Sequence, residues 1–289
     1  MKIQHFFDEE TGTLSYVVHD GRTGVVIDPV QNYDPRSGRT SWRSYEAVTT
    51  YAAGQGISLR YAIDTHVHAD HMTGLQFFRE HHGAQTVTGA GIGVIQKSFR
   101  ELYHLGADFP VDSSQFDRLL NEGQVLNAGE LQIEAIYTPG HTPAHMSWRV
   151  GDVVFLGDTL FMPDYGTARC DFPGGSAAEL FDSAQRIYAL PDDTQLFVCH
   201  DYQPGSRPLR FQTTVQEQKS GNVQLNAGTA KEAFVAFREQ RDRGLSLPAL
   251  LLPAMQVNIR AGRLPEAETN DIAYLKIPLN RLGSRNADC

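Results

Sequence analysis

Histidine and aspartate residues follow the ends of several predicted strands, and this distribution constrains the fold more than any other feature of the sequence. The segment 59–65 predicts a strand, and the sequence His-Val-His-Ala-Asp-His at 66–71 follows it at once. Predicted strands at 130–138, 153–156 and 195–199 are followed by His141, Asp158 and His200. Because α/β proteins collect their chemistry in loops beyond strand ends, the pattern predicts an α/β architecture with a site in these loops.

Helical spacing appears in the remaining segments. Residues 41–53 predict a helix that ends at Gly54, and Ser176 with Glu179 three residues later predicts the start of a helix over 176–190. From about residue 214 the pattern is helical, with helices expected at 232–243 and 248–261. We therefore expect a catalytic domain at 1–213 and a mainly helical C-terminal extension at 214–289.

Composition limits the classes of partner. The 289 residues include 25 basic and 34 acidic side chains, a net charge of −9, which disfavours nucleic acid. The N-terminus does not resemble a signal peptide and no apolar run is long enough for a bilayer, so no membrane partner is expected. Cys170, Cys199 and Cys289 are odd in number and widely spaced, which indicates a reducing compartment and a cytoplasmic protein.

The residue types at the strand ends are those that bind first-row divalent metals. Neighbouring histidines such as His81 and His82 are usually exposed surface residues, and an isolated aspartate usually forms a turn. A run of four possible ligand residues directly after a strand, together with three further residues after other strands, is best explained as a metal site. Ligand counting alone predicts a two-metal hydrolase with His66, His68 and His141 at one metal, Asp70, His71 and His200 at the other, and Asp158 between them.

In this order and spacing the residues resemble the metallo-β-lactamase superfamily, and the resemblance covers residues 12–202. It implies an αβ/βα sandwich of two mixed sheets with outer helices, with the metal at one sheet edge. Two branches of the superfamily compete. The glyoxalase II branch, which consists of thioesterases with two metals, shares the segment 157–161 and the closing histidine.

The persulfide dioxygenase branch is the closer resemblance. Its features here are Arg169-x-Asp171-Phe172, His200-Asp201-Tyr202 in place of His-Glu-Tyr, and a loop at 162–175 similar to the bacterial subgroup. The resemblance implies a glutathione-dependent enzyme that oxidises glutathione persulfide with O2 to sulfite and glutathione, and it implies a homodimer. A glyoxalase II-like thioester hydrolase with a dinuclear metal site is the alternative.

The dioxygenase resemblance also implies one Fe(II) per chain. It implies His66, His141 and Asp158 as the ligands of that iron. Two histidines and one carboxylate leave coordination positions for O2 and substrate. Zinc has no redox chemistry and does not fit this reaction. The remaining residues would hydrogen-bond around the iron or mark a vacant second metal site: His68, Asp70, His71 and His200.

Glutathione is anionic, so basic groups are expected near the site. Arg169 is the first candidate for substrate binding, with an ion pair to Asp171 as the alternative. Tyr202, Arg207 and Lys219 are further candidates because they lie just beyond His200 in the sequence. Cys170 is either a reactive thiol near the substrate or a buried inert one.

Overall fold

Two six-stranded mixed sheets packed face to face form the centre of the molecule, which confirms the predicted αβ/βα sandwich. The computed structural model describes residues 1–282. From edge to edge, the first sheet contains β1 (Lys2–Asp8), β2 (Thr13–His19), β3 (Thr23–Ile27), β6 (Ser58–Ile63), β8 (Gln85–Gly89) and β9 (Arg118–Leu120). The pairs from β1 to β3 are antiparallel, and β3, β6, β8 and β9 run parallel.

The second sheet is antiparallel except at one pair. Its order is β10 (Val125–Ala128), β11 (Leu131–Tyr137), β12 (Met146–Val150), β13 (Val153–Phe155), β14 (Gln195–Phe197) and β15 (Gln212–Thr214). β13 and β14 are parallel, and β11 runs in their direction because two antiparallel pairs separate it from β13. A small three-stranded sheet has the order β5 (Arg39–Ser41), β4 (Val30–Asp34) and β7 (Met72–Thr73).

Helices cover the outer faces of the two sheets. In the described residues they are α1 (Arg43–Gln55), α2 (Leu75–His82), α3 (Ile92–Leu102), α4 (Ala177–Tyr188), α5 (Val215–Gly221), α6 (Lys231–Asp242) and α7 (Leu251–Asn258), with a short 3-10 turn at Pro204–Ser206. The predicted start of α4 is confirmed, since the Ser176 side chain accepts from the Glu179 amide. α1 continues past Gly54 and ends at Gly56, whose φ of +67° suits glycine.

Large apolar side chains fill the interface between the two sheets and the interface between the first sheet and its helices. Trp148, Tyr16 and Phe155 are buried between the two sheets. On the other face of the first sheet, Phe78 and Phe99 pack in a second core that also contains residues of α1 and α7. Burial of this apolar area holds the sheets and helices together, so the loops at the sheet edges rest on a rigid frame.

The two sheets are joined along the edge where the ligand-type residues emerge. The Leu14 amide donates to the Cys199 carbonyl at 2.7 Å, and the Met146 amide donates to the Thr65 carbonyl at 2.8 Å. The Tyr16 hydroxyl adds a 2.5 Å hydrogen bond to the Val198 carbonyl. These contacts join the C-terminal end of β14 to β2 and the C-terminal end of β6 to β12.

The C-terminal part of the chain is less helical than the sequence pattern predicts. β15 spans the predicted boundary between residues 213 and 214, and α5, α6 and α7 follow it. The helices expected at 232–243 and 248–261 correspond to α6 and α7, and from Arg263 to Leu282 the chain forms neither helix nor strand. This segment contains Pro265 and Pro278, and a proline disfavours the interior of a helix.

Within residues 1–282, no helix has both the length and the apolar character needed to cross a bilayer.

Candidate metal centre

The predicted ligand residues converge where strands of both sheets end. The segment 66–71 follows β6, His141 follows β11, Asp158 follows β13 and His200 follows β14. β11, β13 and β14 run in one direction, so their C-terminal ends share one edge of the second sheet. This topology explains how residues far apart in the sequence form one cluster.

Three of these residues form the first group of the cluster. Asp158 Oδ2 lies 3.6 Å from His141 Nε2 and 4.0 Å from His66 Nε2. The opposite ring nitrogens are engaged: His66 Nδ1 lies 2.9 Å from Thr65 Oγ1, and His141 Nδ1 donates to the Arg169 carbonyl at 2.7 Å. The Nε2 atoms of both rings therefore face Asp158, in an arrangement that can hold one metal ion.

A second group lies on the other side of Asp158. His200 Nε2 is 3.4 Å from Asp158 Oδ1 and 3.3 Å from Asp70 Oδ2. His71 Nδ1 is 3.4 Å from the same oxygen of Asp70. Asp158 therefore lies between the two groups, as ligand counting expects.

His68 is oriented by a buried carboxylate. Its Nε2 lies 3.1 Å from Asp28 Oδ1, while Asp28 also accepts from the Thr65 amide at 2.7 Å and hydroxyl at 3.0 Å. Burial alone would lower the pKa of His68, but the Asp28 carboxylate outweighs it and raises this pKa to about 9. The sequence analysis assigned no role to Asp28, although it directly follows β3.

His145 is a positioning residue to which the sequence analysis gave no role. Its Nε2 accepts from the Asp158 amide at 2.9 Å, and its Nδ1 lies 2.9 Å from Thr138 Oγ1. Burial lowers the pKa of His145 to about 3, so the ring is neutral and remains an acceptor. Gly157 has a φ of +54°, and a Cβ there would lie 2.5 Å from His145 Nε2, so glycine is required for this approach.

The protonation states of His66, His71 and Asp70 favour metal ligation. Burial, followed by the charge of neighbouring imidazoles, holds the pKa of His66 well below its usual value. Burial also lowers the pKa of His71. For Asp70, burial acts to raise the pKa, but His200 and His71 outweigh it and keep the pKa low. Neutral imidazole and ionised carboxylate are the forms that bind metal.

Unpartnered buried atoms show that the cluster is a metal-binding site. Among the described residues, five cluster atoms that are shielded from solvent have no hydrogen-bond partner: His66 Nε2, His68 Nδ1, His71 Nε2, His200 Nε2 and Asp158 Oδ1. A buried polar atom without a partner costs about 1–3 kcal/mol. Divalent cations would satisfy such atoms, and the residue types fit them.

A cavity of about 1100 Å³ opens beside this cluster. His141 and Ala69 form its end nearest the metal residues, and Phe99 and Phe172 contribute apolar walls. Its size suits a ligand as large as a tripeptide thiol.

The residues predicted for substrate binding are engaged in other contacts. Arg169 lines the cavity, but its guanidinium forms two 2.6 Å hydrogen bonds to Asp171 and one to the Ser246 carbonyl. The alternative interpretation, a structural ion pair, is therefore observed. Arg207 binds Asp201 through two 2.7 Å hydrogen bonds and also pairs with Asp164.

Tyr202 and Lys219 differ in their distance from the cluster. The Tyr202 ring stacks on His200, with ring centroids 5.6 Å apart, and borders a second cavity. Lys219 donates to Asp192 at 2.7 Å. Asp192 precedes β14, whereas His200 follows it, so the structure does not bring Lys219 to the metal residues.

The two cysteines of the described chain are buried and free. Burial and the nearby Asp242 raise the pKa of Cys170 well above its usual value, which favours the inert interpretation although Cys170 lines the larger cavity. Cys289 lies outside the described residues.

The chain belongs to the metallo-beta-lactamase superfamily, whose family model matches residues 8–200. The beta-lactamase hydrolase-like protein of Agrobacterium fabrum is 47% identical over 97% of this chain, which spans 65% of that relative's length. The protein named glyoxylase B2 of Dictyostelium discoideum is 42% identical, with 97% of this chain and 98% of the relative covered.

The chain is also similar to proteins of the dioxygenase branch. The mitochondrial persulfide dioxygenase ETHE1 of Homo sapiens is 27% identical, with 90% of this chain and 88% of the relative covered. The crystal structure of ETHE1 from Myxococcus xanthus is 30% identical, with a TM-score of 0.74, and covers 91% of this chain and 100% of its own.

Proposed function

We propose that this chain is a glutathione-dependent persulfide dioxygenase with one Fe(II), bound by His66, His141 and Asp158. The observation that carries the proposal is this group of two imidazoles and one carboxylate beside a large cavity. Similarity to ETHE1 over nearly the whole chain supports it. Iron, when bound, supplies redox chemistry and open coordination positions for O2 and substrate.

In the proposed reaction, glutathione persulfide, O2 and water give glutathione, sulfite and two protons. The S–S bond breaks, and the terminal sulfur gives four electrons to O2. The chain's own residues prepare the site for this reaction. Thr65 and the Arg169 carbonyl orient the two imidazoles, and His145 fixes the backbone of Asp158.

The cavity would hold the glutathione part of the substrate. Phe99 and Phe172 would exclude water from one side, and Arg169 also lines this cavity. Because Arg169 is already paired with Asp171, its expected role is to orient one glutathione carboxylate from the edge of that pair rather than to supply a free cation.

A second candidate function is a dinuclear thioester hydrolase. The observation in its favour is that His71 Nε2 and His200 Nε2 are unpartnered beside Asp70. These atoms would bind a second metal ion, and two ions suit hydrolysis. The similarity to glyoxylase B2 agrees with this candidate.

The two functions differ in their need for O2 and in their metal. The protein is loaded anaerobically with Fe(II) in one sample and with Zn(II) in another, and each receives glutathione persulfide or S-lactoylglutathione. The dioxygenase predicts O2 consumption and sulfite release by the iron form alone. Thioester cleavage that needs no O2, together with no sulfite from either form, would refute it.

A further inference from the structure

The side chain of Asn258, the last residue of α7, connects the C-terminal part of the chain to the metal-binding loop. Asn258 is 2% exposed and lies beyond the residues matched by the family model. Its Nδ2 donates to the carbonyls of His68 and His71, and its Oδ1 accepts from the Thr73 amide. All three hydrogen bonds are 2.8 Å long, so both donor hydrogens and the acceptor oxygen of the amide are used.

The loop needs such a partner because it has no secondary structure of its own. Residues 64–71 form neither helix nor strand, and His68 and His71 are fully buried. Without Asn258 the carbonyls of these two residues would each lose this hydrogen-bond partner, and a buried acceptor without a partner is unfavourable. The two carbonyls are three residues apart, so one side-chain amide that binds both fixes the bend of the loop. The imidazoles of His68 and His71 then lie side by side, with ring centroids 4.2 Å apart.

The position of Asn258 is fixed by the packing of the residues around it. Its neighbours Met255 and Val257 are fully buried, and the Ile259 carbonyl accepts from the Gln96 side chain at 3.0 Å. After the helix, Gly262 approaches the Thr73 carbonyl so closely that an added Cβ would lie 3.0 Å from it. The helix end therefore cannot shift freely relative to the metal-binding loop.

We propose that Asn258 is a positioning residue of the metal centre, which holds the backbone of the loop 66–71 and thereby places the ligand His66 and the neighbouring imidazoles of His68 and His71. The C-terminal part of the chain is then required for full metal affinity. A solely structural role, in which Asn258 closes the core, predicts a loss of stability without a specific loss of metal affinity.

Gln256 provides a matched control on the same helix. It is 1% exposed, and its amide also bridges backbone groups, with a 2.9 Å hydrogen bond to the Lys276 carbonyl and a 2.8 Å hydrogen bond from the Lys276 amide. These contacts hold the segment after α7 and do not reach the metal residues. Gln256→Ala therefore removes comparable polar contacts away from the metal.

The experiment measures Co(II) and Zn(II) affinity by competition with a chelator, together with the melting temperature of each metal-free variant. Asn258→Ala is expected to lower metal affinity about 10- to 100-fold, as loss of residues that orient ligands does, and to change the visible absorption of bound Co(II). Asn258→Ser, whose hydroxyl can serve one carbonyl, is expected to lie between native and alanine, and it decides the question if the alanine variant does not fold. Gln256→Ala should lose stability but keep native affinity within about twofold.

Native metal affinity in folded Asn258→Ala or Asn258→Ser would overturn the proposal, as would an equal loss of affinity in Gln256→Ala. The measurement uses neither persulfide nor O2. A failure of the proposed oxygenase activity therefore leaves this inference intact, and a failure of this inference leaves that activity untouched.

Discussion

The metal cluster and the basic residues around it differ in how their polar atoms are satisfied. In the cluster, four buried imidazole nitrogens have no hydrogen-bond partner among the described residues. Around it, the guanidinium groups of Arg169 and Arg207 are bound to carboxylates. Unpartnered buried atoms indicate a missing ligand, whereas paired surface charges contribute little beyond local structure.

The difference separates two kinds of inference. The metal site can be assigned from the chain alone because its atoms are left incomplete without an ion. The substrate contacts cannot be assigned in the same way, since each charged candidate has a partner already. Variants that alter one region and spare the other test whether this separation is correct.

Asp158→Asn is expected to have the largest effect, because it removes the charge that lies between the two groups of the cluster. The affinity for iron should fall at least about 100-fold, which corresponds to about 2.7 kcal/mol. Elemental analysis after anaerobic loading should therefore find little iron in this variant. Asp192→Asn, at an exposed carboxylate that pairs with Lys219, is the control and should bind iron as the native protein does. Near-native occupancy in Asp158→Asn would break the assignment of this group as the metal site.

His145→Ala is expected to have the next largest effect. The buried Asp158 amide loses its acceptor, which costs about 1–3 kcal/mol in the free energy of unfolding. Metal affinity should fall about tenfold, because the ligand loop loses a restraint on its backbone. His145→Gln, whose carbonyl oxygen can accept the same hydrogen bond, should recover part of both losses. Denaturant unfolding and chelator competition measure the two effects, and an alanine variant with native metal affinity would show that His145 has no positioning role.

Arg169→Gln should affect substrate more than metal. We expect KM for glutathione persulfide to rise about tenfold, equivalent to about 1.4 kcal/mol, with iron content close to native. Lys219→Gln, at an exposed surface pair, is the matched control and should change KM less than twofold. Equal losses of iron content and substrate affinity in Arg169→Gln would mean that its ion pair with Asp171 supports the metal loop and does not bind substrate.

His200→Ala should have the smallest effect on iron occupancy. If one iron is held by His66, His141 and Asp158, the loss of His200 removes a neighbour of that group and leaves about one iron per chain. His66→Ala is the comparison within the same cluster, and it should lose the iron. Loss of iron from both variants would favour the dinuclear alternative.

The residues that gather in the cluster can be picked out from the sequence, because they lie within a short motif or directly after strands. The sequence gives little information about the residues whose hydrogen bonds position the cluster. His145 lies near the motif, but its hydrogen bond to the Asp158 amide depends on how β12 and β13 meet. Asn258 is 187 positions beyond His71 in the chain, and no local pattern distinguishes it from any other residue of a buried helix.

The residues used to choose between the two branches of the superfamily are also difficult to interpret from the sequence alone. Asp201, which replaces glutamate in the compared pattern, is buried against Arg207 and accepts from the Arg210 amide. It therefore acts on the fold of the loop after His200, and its identity alone does not specify the metal or the substrate. Contacts of this kind depend on tertiary packing that residue spacing does not encode.

The number of iron ions per chain tests the central claim most directly. The protein is loaded anaerobically with excess Fe(II), freed of unbound metal, and analysed for iron and protein while O2 uptake with glutathione persulfide is followed. The proposal predicts close to one iron per chain, with O2 uptake that reaches its maximum at that ratio. Two tightly bound irons per chain, or turnover at full speed without O2, would contradict it.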